Sequence, residues 1–213
     1  MDDKMLDRAA QRAQQYWFTD GIGELAVGGV FLLVALYFGA QAVLPEDSFL
    51  GSMLAPAMLL VFVGAGVIAR SLIRTLKERL TYPRTGYVAY RQPDKKRRWI
   101  TLLFAMGMAM LVSALFASAP ASLAWIPAVS GLLIGVYWLY YGHRLGLVRF
   151  YVLAALSAIM GTAITLAGLG EARGLPLYYG VIGLALLVSG GFTLRLYLRQ
   201  PPVRLDEPGE STL

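Results

Sequence analysis

IGELAVGGVFLLVALYFGAQAVL, residues 22–44, is an apolar run of 23 residues broken by a single charge, Glu24. A helix rising about 1.5 Å per residue covers the roughly 30 Å of a bilayer's hydrocarbon in such a length. Five further stretches meet the same test, at 49–70, 99–119, 121–142, 147–170 and 175–198. The expected fold class is therefore all-α, an integral membrane bundle of six transmembrane helices within residues 21–199. Connections at 45–48, around 120 and at 171–174 leave room only for turns, and Pro45, Pro120 and Pro176 each favour a break there. The spans then pair as three hairpins, first with second, third with fourth and fifth with sixth.

Composition agrees. Of 213 residues, 57% are apolar and only 15% charged, with a mean hydropathy of +0.59. Soluble domains carry about a quarter charged residues. Cysteine is absent, which excludes disulfides and thiolate chemistry. The net charge of +6 lies beside apolar spans rather than on a soluble domain, so it suits anionic lipid headgroups and not nucleic acid. Residues 1–20 are polar and include four Asp, unlike a short basic signal region, so the first span is expected to be retained.

Lys and Arg set the orientation. Six spans place the N-terminus, 70–98, 143–149 and the C-terminus on one side, with 3, 10, 2 and 3 basic residues, a total of 18. The other side has only Arg173. Both termini are expected in the cytoplasm.

The second span has no evident stop. It continues as RSLIRTLKERL, with Leu72, Ile73, Leu76 and Leu80 on one face and Arg70, Arg74 and Lys77 toward the other. Arg74 and Glu78 stand at (i, i+4), a spacing that supports an ion pair. From Phe49 to Leu80 such a helix would be about 48 Å long, more than the hydrocarbon it must cross.

Residues 78–99, ERLTYPRTGYVAYRQPDKKRRW, then combine seven Lys or Arg with a Pro-Arg-Thr-Gly turn and three Tyr. In the simplest reading this strip holds the loop inside while its aromatics sit at the interface. An ordered turn tip adds the expectation of a docking surface using Tyr82, Arg84, Tyr87, Lys95, Lys96, Arg97 and Arg98. Its partners would be anionic headgroups of the cytoplasmic leaflet or a cytoplasmic protein. TYPRTGYV, residues 81–88, resembles a string in uncharacterised bacterial multi-pass membrane proteins. That resemblance implies the bacterial cytoplasmic membrane and no particular activity.

Candidate chemistry is sparse. The span centres offer Ser, Thr, Tyr and small residues but almost no ionisable group, which disfavours an ion-coupled carrier. Asp20 and Glu24 would share a face if the first helix began by Thr19, and His143 lies on the same side. The three could act as metal ligands or as acid, base and orienter. Against this, acids at a helix N-terminus are stabilised by the macrodipole, and nearby cations can neutralise them. Arg84 is the expected partner of Glu24. No metal or cofactor motif is present, since HExxH, a phosphate-binding glycine loop and G-x-S-x-G are all missing.

Small residues recur at helical spacing. Gly131 and Gly135 do so in the fourth span, Ser157, Gly161 and Thr165 in the fifth, and Ala105, Ala109 and Ser113 in the third. They are expected to let helices of one chain approach closely. The tail 200–213 is Pro-rich, polar and expected to be disordered. The leading functional expectation is a non-enzymatic module that binds lipid or a partner through 70–98. A passive or lipid-directed transporter, and an intramembrane enzyme using Asp20, Glu24 and His143, are the alternatives.

Overall fold

The computed structural model describes residues 18, 20–45, 47–81 and 120–199. The expected third span at 99–119, the turn tip with Tyr82, Arg84 and Tyr87, the basic run Lys95 to Arg98, and both tails lie outside the described residues.

Every described element is a helix: α1 (Ile22–Val43), α2 (Phe49–Leu76), α3 (Ile126–Leu145), α4 (Val148–Leu166) and α5 (Gly170–Arg199). A π-helical turn (Lys77–Thr81) extends α2, and a 3-10 turn (Pro120–Trp125) leads into α3. Five of the described segments are long and apolar enough to cross a membrane.

Local chemistry sets the ends. Asp20 Oδ1 accepts the Ile22 N–H at 3.1 Å, and Gly21 takes a left-handed φ of +71°, so α1 starts at Ile22 rather than by Thr19. Only glycine fits there, since a Cβ would lie 2.5 Å from the Gly190 carbonyl oxygen. Ser48 caps α2 by accepting the Gly51 N–H at 3.0 Å. With its π turn, α2 runs helically through Leu80, as its amphipathic continuation predicts. Arg74 and Glu78 form the expected pair at 2.8 Å.

Two boundaries differ from expectation. α4 stops at Leu166, because the chain turns through Gly168 and Gly170, both at positive φ. α5 therefore starts at Gly170 and carries Pro176 inside it. Proline removes only its own N–H from the ladder, so the residues ahead of it can still be helical, and Pro176 does not mark the helix start.

α1 runs opposite to α2, and α4 opposite to α5, whereas α2 and α3 run in the same direction. Gly21 lies against Gly190 and Gly28 against Gly183, so α1 and α5 run antiparallel. Gly131 lies against Gly161 and Gly142 against Tyr151, so α3 and α4 do too. These two pairs have the most extensive contacts, α1–α2 and α4–α5 being smaller. Among the described residues the most extensive pairings are thus the first span with the sixth and the fourth with the fifth, while the expected partner of the fourth span in its hairpin lies outside the described residues. Asp20, Lys77, Arg149 and Thr193 gather at one end. Pro120 begins at the opposite end, near Pro127 and Gly174.

Between the ends lies a core of Trp138, Phe150, Leu153, Tyr178, Ile182 and Leu186. One buried polar cluster crosses it. Ser157 Oγ donates to the Gly131 carbonyl at 2.9 Å. Its proton is then committed, so the Tyr178 hydroxyl, 2.7 Å away, donates to Ser157.

Candidate functional site

Four ionisable side chains meet at the end of the bundle where α1 begins. Asp20 Oδ2 is 2.8 Å from Lys77 Nζ, and both side chains are at most 2% exposed. Lys77 is expected on the same helix face as Arg70 and Arg74, but unlike them it is buried in the bundle. The change happens where backbone hydrogen bonding widens to π spacing, a local irregularity frequent at functional sites. A buried ammonium must find an anion, and Asp20 supplies it.

Glu24, in the first turn of α1, is equally buried. Its Oε2 accepts the Ser189 hydroxyl of α5 at 2.6 Å, and its Oε1 lies 2.8 Å from Arg149 Nε of α4. The Nε–H does not point along that line, so this contact is Coulombic rather than a hydrogen bond. Arg149 also donates from Nη1 to Thr193 Oγ1 at 2.8 Å and from Nη2 to the Phe18 carbonyl. Its guanidinium stands 5.2 Å from the Phe150 ring centroid. Thr193 passes its own proton to the Ser189 carbonyl at 2.8 Å.

Glycine makes this possible. A Cβ on Gly190 would fall 2.8 Å from the Gly21 carbonyl oxygen and 3.0 Å from Glu24 Cβ. Its absence lets α5 bring Ser189 and Thr193 up to the start of α1. Among the described residues the cluster thus joins α1, α2, α4 and α5 through two acids and two bases.

The expected site residues divide accordingly. Asp20 and Glu24 come to the same end but take different cations, and with α1 starting at Ile22 they are not a helical (i, i+4) pair. The described partner of Glu24 is Arg149; the expected Arg84 lies outside the described residues. His143 is exposed in the last turn of α3 and makes none of the cluster's contacts. Among the described residues, no three His, Cys, Asp or Glu are grouped to hold a metal. Lys77, Arg149, Ser189 and Thr193 were not anticipated as site residues. In the sequence Lys77 and Arg149 read only as topogenic charge, and the one hint is that each adjoins an apolar span.

Among the described residues each acid of the cluster faces a base on another helix. Buried pairs contribute little net stability, and their best-attested use is to specify one arrangement.

These helices and their pairing define a multi-pass helical membrane protein whose one end is fastened by internal ion pairs. No family model, curated protein or solved structure matches the chain.

Proposed function

We propose that the protein is a non-enzymatic module of the bacterial cytoplasmic membrane, with both termini inside, that binds anionic lipid through its basic insertion at 70–98. A six-helix arrangement built from three sequential turns belongs to the same proposal. The supporting observation is the way the insertion is rooted. α2 runs on past its apolar stretch with Arg70, Arg74 and Arg79 exposed, while Lys77, in the same segment, is held inside by Asp20 at 2.8 Å. A loosely tethered charge run needs no such anchor. Asp20 and Glu24 are each paired with a cation and His143 is exposed, which favours binding over catalysis by those three.

Two experiments test this. With Lys95, Lys96, Arg97 and Arg98 replaced by Gln, native mass spectrometry of gently solubilised protein should show phosphatidylglycerol retention falling. At roughly 1 kcal/mol per basic residue the loss is about 10² to 10³ in affinity. Equal retention by parent and variant would place the lipid among the helices and favour a lipid-directed transporter. Retention by neither would direct the search to a cytoplasmic protein partner.

Orientation is tested separately. With no native cysteine, a single introduced thiol reports one position. In intact cells Asp47→Cys should react with a membrane-impermeant maleimide and His143→Cys should not. The reverse labelling would overturn the inside placement of the termini.

A further inference from the structure

At the end opposite the ion pairs, α1, α2 and α5 enclose a half-open cavity of about 480 Å³. Phe38 and Gln41 of α1, Leu54 of α2, and Glu171 and Leu175 of α5 line it. The volume falls in the range of small-ligand sites, and the lining mixes apolar side chains with the polar Gln41 and Glu171.

Those two polar groups offer acceptors, the Glu171 carboxylate and the Gln41 amide oxygen. Tyr37 donates its hydroxyl proton to the Leu54 carbonyl at 3.2 Å, so it can only accept from Gln41 Nε2, 2.9 Å away. That fixes the Gln41 amide, leaving its carbonyl oxygen as the acceptor toward other groups. Glu171 is the charged side chain among the described lining residues. The C-terminal turn of α1 lies at the same wall, where unsatisfied helix carbonyls concentrate negative charge, and α1 has no basic residue in its last turn. The neighbouring α2 N-terminus is already capped by Ser48. In the sequence the turns at this end hold Glu46, Asp47 and Glu171 against Arg173 alone.

We infer that this cavity is a site for the ammonium-bearing head of a membrane lipid. Glu171 and the Gln41 carbonyl receive the ammonium, and the chain descends along Phe38, Leu54 and Leu175. The location suits a lipid rather than a soluble amine. Gln41, Leu54 and Glu171 sit toward the ends of helices long and apolar enough to span a membrane, where a lipid headgroup could reach them. The site is at the other end of the bundle from Lys77, the root of the basic insertion, and uses the opposite charge, so it stands independently of the lipid binding proposed above.

Native mass spectrometry of the full chain with equimolar phosphatidylethanolamine and phosphatidylglycerol tests it. The two headgroups share a phosphate and differ in the ammonium. The parent should retain phosphatidylethanolamine preferentially. Glu171→Gln, at an exposed position, should lower that affinity about tenfold and leave phosphatidylglycerol unchanged. Ala42→Phe, which fills the cavity wall, should abolish the preference, and thermal unfolding of both variants should match the parent. Millimolar free ethanolamine should not displace the lipid. Equal retention of the two lipids by the parent, or a preference that survives Glu171→Gln, would overturn the site. Displacement by free ethanolamine would overturn the lipid assignment.

Discussion

Replacing Arg149 with methionine should destabilise the protein by about 3–5 kcal/mol, the usual cost of leaving one member of a buried ion pair without its partner. Glu24 is 2% exposed and would keep only the Ser189 hydroxyl, while the Phe18 carbonyl and Thr193 would lose a donor. In thermal unfolding this amounts to a drop of about 10 °C for a chain of this size. Charge and packing can be separated with Glu24→Leu in the same chain. The double variant should recover to within about 1–2 kcal/mol of the parent, because only neutral groups then remain unsatisfied. A double-mutant cycle gives the coupling directly. If the double variant is as unstable as Arg149→Met alone, the arginine acts through the packing of its stem and the charge cluster is incidental. Asp20 and Lys77 should behave likewise, with one added effect: loss of Lys77 would also release the root of the basic arm.

What was legible in the sequence follows one helix at a time. The overrun of α2 could be read because its apolar stripe and its Arg74–Glu78 spacing continue past Ala69, and both are present. The small-residue stripes of the fourth and fifth spans were visible separately, and the structure lays one on the other, Gly131 against Gly161 and Ser157, and Gly135 against Ala154. Periodicity tells which residues share a face; it does not tell which faces meet. The pairing of first helix with last, and of Glu24 with Arg149, depends on contacts between distant parts of the chain, so neither had a local signal. Lys77 is the same case. Its neighbours Arg70 and Arg74 argue for an outward face, and only an acid delivered by α1 turns it in. The start of α1 was also set from afar, by the carbonyl of Gly190 lying where a side chain on Gly21 would be.

The small-residue contact between α3 and α4 should be strongly size-sensitive. A Cβ on Gly161 would collide with the Pro127 carbonyl oxygen and lie 2.8 Å from Gly131 Cα. Both obstacles are backbone, so no rotamer change can relieve them, and the helices would have to separate. Gly161→Ala should therefore cost about 1–3 kcal/mol, and Gly161→Leu more. Separation would also break the bond from Ser157 to the Gly131 carbonyl and leave a polar group unsatisfied among helices, where no water replaces it. Gly29→Ala is the contrasting change, since a Cβ there meets nothing within 4 Å. It should be neutral or stabilising by about 0.5–1 kcal/mol, because glycine is the weaker helix former. Unfolding of the two alanine variants under identical detergent conditions checks both signs at once. Opposite signs would establish that close backbone approach fixes where α3 and α4 cross. Equal, small effects would mean that the two helices can slide apart at little cost, and the large side chains Trp138 and Phe150, stacked at 5.2 Å, would then be what holds them.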